Sequence, residues 1–86
     1  MKVTQTEAVQ HIKKLIQARR LSIPSRIENH WVIFEHKNRQ IGIDTASGVW
    51  IRPTELDDWI CICTPCVVSG AIQAVDFLVN GGVRPI

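Results

Sequence analysis

An α+β fold of order helix, four strands, helix is what this 86-residue sequence predicts. Three observations carry it. A one-sided amphipathic stretch lies near the start, the middle is rich in β-branched and aromatic residues cut by polar turns, and the closing stretch is apolar on almost every side. Short connections between consecutive strands make an antiparallel meander the default, with both helices on one face and the C-terminal helix central. A chain of this length supports one core, so residues 1–86 are read as a single domain.

The first helix is expected from Glu7 to Arg19, capped by Thr6, with Glu7 favourable in the first turn. Ala8, Val9, Ile12, Leu15 and Ile16 form its apolar stripe, and Lys13, Lys14, Gln17 and Arg20 face away from it. Ser22-Ile23-Pro24-Ser25 ends it, because the residue before a proline avoids the helical region. Arg26 to His36 reads as one strand whose middle, Trp31-Val32-Ile33-Phe34, is apolar on both faces. Lys37-Asn38-Arg39 is a polar turn, and Gln40 to Thr45 a second strand with Ile41 and Ile43 on one side. After a turn at Ala46-Ser47-Gly48, Gly48 to Arg52 forms the third strand. Pro53 to Asp58 is a connector with one turn capped by Thr54, and Trp59 to Cys63 the fourth strand.

The last helix is read from Thr64 to Asn80, with Thr64 as cap, Pro65 at the first helical position and Gly81-Gly82 as a left-handed stop. Ser69, Gln73, Asp76 and Asn80 make one narrow polar stripe, and the apolar arc around the rest spans roughly 300°. Such a helix must be covered on several sides, by the rest of the chain or by a second copy. Gly70 costs about 1 kcal/mol of helix propensity against Ala, so close packing is expected there. The segment falls short of the ~20 apolar residues of a membrane span, and Gln73 and Asp76 interrupt it. Val83-Arg84-Pro85-Ile86 is expected to be a loose tail.

Composition narrows the function classes. With 45% hydrophobic and 21% charged residues the chain is globular, and a net charge of +2 does not by itself call for a polyanionic partner. Met-Lys-Val-Thr-Gln-Thr-Glu has no apolar h-region, and the three cysteines are an odd number, so reduced thiols in the cytoplasm are expected.

The sharpest local pattern is Cys61-x-Cys63-Thr64-Pro65-Cys66. Its last four residues resemble the C-x-P-C motif of thioredoxin-type oxidoreductases, and the resemblance implies thiol chemistry at a helix N-terminus, where a thiol pKa falls. It covers four residues, and the motif here precedes the last helix instead of following a first strand, so it implies chemistry and not membership. The competing explanation is packing: Cys61 and Cys63 as small apolar strand residues, Cys66 in the first helical turn. A metal would need a fourth ligand from His11, His30 or His36, and only one of the two clusters usual in zinc sites is present. No resident metal is assigned.

Lys13, Lys14, Arg20, Lys37, Arg39 and Arg52 are the cations available to a nucleic acid, but the aromatic residues stand apart from them and no helix-turn-helix spacing exists. Solvated helix surface explains the basic residues more simply. Glu55, Asp57 and Asp58 fit the capping of a turn, and Asp76 the solvated edge of its helix. No G-x-S-x-G, P-loop or H-E-x-x-H occurs, so the sequence points to no cofactor and argues against an enzyme. Two helices cover one sheet face, which leaves Trp31, Ile33, Trp50, Trp59, Ile60 and Ile62 as candidates for an exposed apolar face. The expectation is a small interaction module, homodimeric through that face, with a further protein partner allowed.

Overall fold

The computed structural model describes residues 3–81, so Gly82 and the expected tail from Val83 to Ile86 lie outside the described residues. The chain forms α1 (Gln5–Ala18), β1 (Ser25–Glu28), β2 (Trp31–His36), β3 (Arg39–Ile43), β4 (Val49–Arg52), β5 (Ile60–Cys63) and α2 (Val68–Asn80). The strands make one antiparallel sheet in the order β1-β2-β3-β4-β5, an uninterrupted meander. It has five strands where four were expected.

The extra strand comes from a turn hidden inside Arg26–His36. Asn29 and His30 both take positive φ, 51° and 70°, and Glu28 pairs with Trp31 across them. Two left-handed residues in a two-residue loop match the right-handed twist of the flanking strands. Lys37 and Asn38 repeat the device at φ 49° and 69°, with His36 opposite Arg39. Arg39 therefore opens β3 and does not belong to the turn.

Thr4, not Thr6, caps α1. Thr4-Gln5-Thr6-Glu7 is a capping box: the Glu7 N–H donates to Thr4 Oγ1, and the Thr4 N–H donates to Glu7 Oε1, each at 3.1 Å. Helix α2 likewise begins later than expected, with Val67 as its cap residue and no side-chain bond to the first turn. Thr64 and Pro65 stay outside it. The backbone of Val67 is extended, so the helix cannot run back through it to Thr64. At the other end Gly81 adopts φ 67° and donates its N–H to the Phe77 carbonyl at 2.7 Å.

Both helices lie on one face. α2 runs across β2, β3, β4 and β5 and alongside α1, which makes it the central element. The core joins Ala8, Val9, Ile12 and Ile16 of α1, Phe34, Ile41, Ile43, Val49 and Ile51 of the sheet, and Ala71, Ala74, Val75, Phe77 and Leu78 of α2. The rest of the chain does not by itself enclose α2 on every side. Val75 and Leu78 are fully buried, but Val68 and Ile72 are 62% and 46% exposed. The polar stripe is a solvated edge, with Asp76 meeting Arg19 of α1 at 3.6 Å and accepting from Asn80 at 2.9 Å. No helix of the described residues is long and apolar enough to cross a membrane.

Candidate functional site

Register decides which side chains reach the helix-free face. Val32, Ile43, Val49 and Cys63 stand opposite one another on the helix side, as do Phe34, Ile41, Ile51 and Ile60. The alternate row, Arg26, Ile33, Gly42, Trp50 and Cys61, points to the other face. Trp31 opposite Glu28 lies beyond one end of that row, and Glu35, Gln40 and Arg52 lie beyond the other.

The structure brings all three tryptophans together here. The rings of Trp31 and Trp50 are 5.5 Å apart at 38°, and those of Trp31 and Trp59 are 5.4 Å apart at 52°. Gly42 is what admits them: a Cβ there would lie 2.8 Å from Trp31 Cε3 and 3.3 Å from Trp59 Cη2. Trp59 lies in the connector just before β5, not within the strand, and folds back over this face. Ile33 beneath is left 4% exposed, so the face carries its own aromatic cover. Each tryptophan remains half-buried.

A polar ladder adjoins the cluster. Arg26 donates to Glu35 at 2.9 Å, Gln40 donates to the same Glu35 oxygen at 2.7 Å, and Arg52 Nε donates to Gln40 Oε1 at 2.5 Å. Gln40 is buried, and these two bonds give its amide nitrogen and its amide oxygen one partner each. The bonds from Gln40 and Arg26 hold the Glu35 carboxyl below its usual range. The Arg52 guanidinium also sits 4.2 Å from the Trp59 ring centroid, a cation–π contact. Beside the paired rings lies an open groove of about 400 Å³, lined by Trp31, Ile33 and Trp59 together with Glu28 and Asn29 of the first hairpin and Arg52 at the end of β4.

The remaining sequence candidates lie elsewhere. Ile60 is 55% exposed and faces the helix side at the sheet edge, and Ile62 packs against the core, so neither joins the aromatic face. A register shift between Val49 and Trp50 leaves Ile62 as the residue without an opposite number. Cys61 is exposed on the outer face, Cys63 is half-buried near Gly70 of α2, and Cys66 is buried in the core. Cys66 precedes the α2 cap, and burial, with a smaller push from Cys63, raises its pKa. An activated thiol there would need the opposite shift. His30 occupies the first hairpin turn and His36 the end of β2, so the two do not share a strand. Among the described residues no three His, Cys, Asp or Glu side chains converge as a metal would require.

The basic candidates do not assemble either. Lys13 and Lys14 are exposed on α1, Arg20 follows its end, and Lys37 is in the second hairpin turn. Arg39 is already engaged: its Nε and Nη2 donate to the Leu78 and Val79 carbonyls at 3.2 and 2.9 Å, closing the C-terminal end of α2.

No protein-family model matches this chain, and no curated protein or solved structure shows significant similarity to it. Arg26, Glu28, Asn29, Glu35 and Gln40 are members of the aromatic face that a sequence reading passes over. Their signal was the register, which follows only once the Asn29-His30 turn is known.

Proposed function

We propose that this chain is a small non-enzymatic interaction module, that the helix-free sheet face is its contact surface, and that it works as a homodimer through that face. The observation that carries this reading is the convergence of Trp31, Trp50 and Trp59 on the one face no helix covers. Clustered aromatics next to an arginine are the residue types in which binding energy concentrates. Half-buried rings over a buried Ile33 form a rigid platform, which lowers the entropy lost when a partner docks. An odd number of cysteines, with all three free, supports a cytoplasmic setting.

Sedimentation equilibrium over a wide concentration range tests the reading. The wild-type chain is expected to dimerise, and Trp31→Ala and Trp59→Ala, each checked for folding by circular dichroism, to weaken the dimer about tenfold or more. A wild-type chain that stays monomeric at millimolar concentration would overturn it.

A further inference from the structure

The groove across the aromatic face has an acidic side chain at one end and a basic one at the other. Glu28 lies at the β1–β2 hairpin end and Arg52 at the far end of β4, with Trp31, Ile33 and Trp59 between them. We infer that a second copy of this chain occupies the groove, turned so that Glu28 of each protomer meets Arg52 of its partner. The inference rests on the self-association proposed above and specifies its register.

An isologous contact places each surface point opposite its image across the two-fold axis. When the axis lies in the interface and crosses the groove at its middle, the two ends exchange. Each end then finds the opposite charge, and the Trp31 ring near the centre meets its own copy. Pairing the ends any other way sets glutamate against glutamate and arginine against arginine. Charge thus selects one orientation out of those the apolar middle would accept.

Both charged groups have capacity left for this. Arg52 uses Nε toward Gln40 and Nη1 toward the Glu55 carbonyl, the latter at 3.4 Å, and among the described residues Nη2 has no partner. Its guanidinium is already held over Trp59, so little side-chain freedom remains to be lost. Glu28 is exposed and bound only to Arg26, through one of its two carboxylate oxygens. Two sheet faces joined in this way would stack as a sandwich, with the helices outermost.

Charge reversal tests the register by sedimentation or light scattering. Glu28→Arg and Arg52→Glu, each alone, are expected to raise the dimer dissociation constant about tenfold or more. Mixing the two purified variants in equal amounts is expected to restore a dimer, since both crossed pairs in the mixed species are again opposite in sign. Arg52→Gln, a milder change, serves if Arg52→Glu does not fold, and is expected to weaken the dimer with a reduced salt dependence. A wild-type monomer would remove the self-association reading itself. A wild-type dimer indifferent to the reversals, or reversed variants that fail to pair when mixed, would overturn this register while leaving self-association standing.

Discussion

Asp44 accepts the Trp50 indole N–H at 2.7 Å on one carboxylate oxygen, while its other oxygen takes the Ala46 and Gly48 N–H groups, both at 2.8 Å. One side chain thereby closes the β3–β4 turn and aims a tryptophan of the aromatic face. Burial pushes the carboxyl upward, but the bonds from Trp50, Gly48 and Ala46 outweigh it and leave the pKa below its ordinary value. A carboxyl depressed in the fold contributes stability that is complete above its unfolded pKa and is lost as pH falls through the folded one. Asp44→Asn is therefore expected to flatten the stability–pH curve below about pH 4. Asp44→Ala should cost about 2–3 kcal/mol at neutral pH, since it strands three donors. Urea titrations across that range check both.

Gly42 sets the distance between the sheet and the aromatic cluster. A methyl group there runs into the Trp31 ring, and the neighbouring ring of Trp59 stands 3.3 Å away on the same side. Gly42→Ala is expected to destabilise the fold by about 1–3 kcal/mol through forced side-chain displacement. It should also alter tryptophan emission, because both displaced rings report directly. Unchanged stability and an unchanged spectrum would mean that Trp31 does not lie over Gly42.

Much of this architecture is written in residue spacing. The alternation of Ile41, Gly42 and Ile43, the stripe of Ala8, Val9, Ile12 and Ile16, and the stop at Gly81 each follow from a local rule and appear in the fold as expected. The first hairpin was illegible for a physical reason. Its turn uses Asn29-His30 in place of the Asn-Gly that marks such turns, and the apolar run starts immediately after it. The start of α1 is legible in the capping-box spacing of Thr4 and Glu7, which Thr6 lacks. Which apolar strand residues face outward depends on register, and the shift at Val49/Trp50 moves Ile60 and Ile62 away from the tryptophans. The fold-back of Trp59 is a tertiary event with no local signal.

Arg39 links the second hairpin to the end of α2 and is the clearest case of a cation with a structural task. Its two donors satisfy carbonyls that the last helical turn leaves without partners. Arg39→Ala is expected to lower stability by about 1–2 kcal/mol, and Arg39→Lys to recover only part of it because one ammonium replaces a two-pronged donor. Exchange of amide protons in the last turn of α2 should rise in parallel. A nucleic-acid role would instead make the same variants matter for heparin retention and not for stability.

The three thiols should react in order of exposure. Cys61 is open to solvent, Cys63 is half-buried, and Cys66 is buried with a raised pKa. A thiol-specific reagent at neutral pH is expected to label Cys61 first and Cys66 last, at a rate limited by opening of the fold. Labelling of Cys66 ahead of Cys61 would revive the redox reading of the C-x-P-C stretch.

Gly70 meets Cys63 where α2 crosses the end of β5. A Cβ on Gly70 would strike the Cys63 Sγ and crowd Cγ2 of Ile62 at 3.4 Å, so the helix sits as close to the strand as it does because this position has no side chain. On propensity alone Gly70→Ala would stabilise α2 by about 1 kcal/mol. Contact reverses the sign: overpacking at a buried crossing costs about 1–3 kcal/mol, so the single variant is expected to be net destabilised. Cys63→Ala removes the struck sulfur, and the double variant Gly70→Ala/Cys63→Ala should be more stable than the sum of the two single changes allows. That coupling, measured by chemical denaturation, separates a steric glycine from one tolerated by chance. An additive pair would show that α2 does not approach β5 through these two residues.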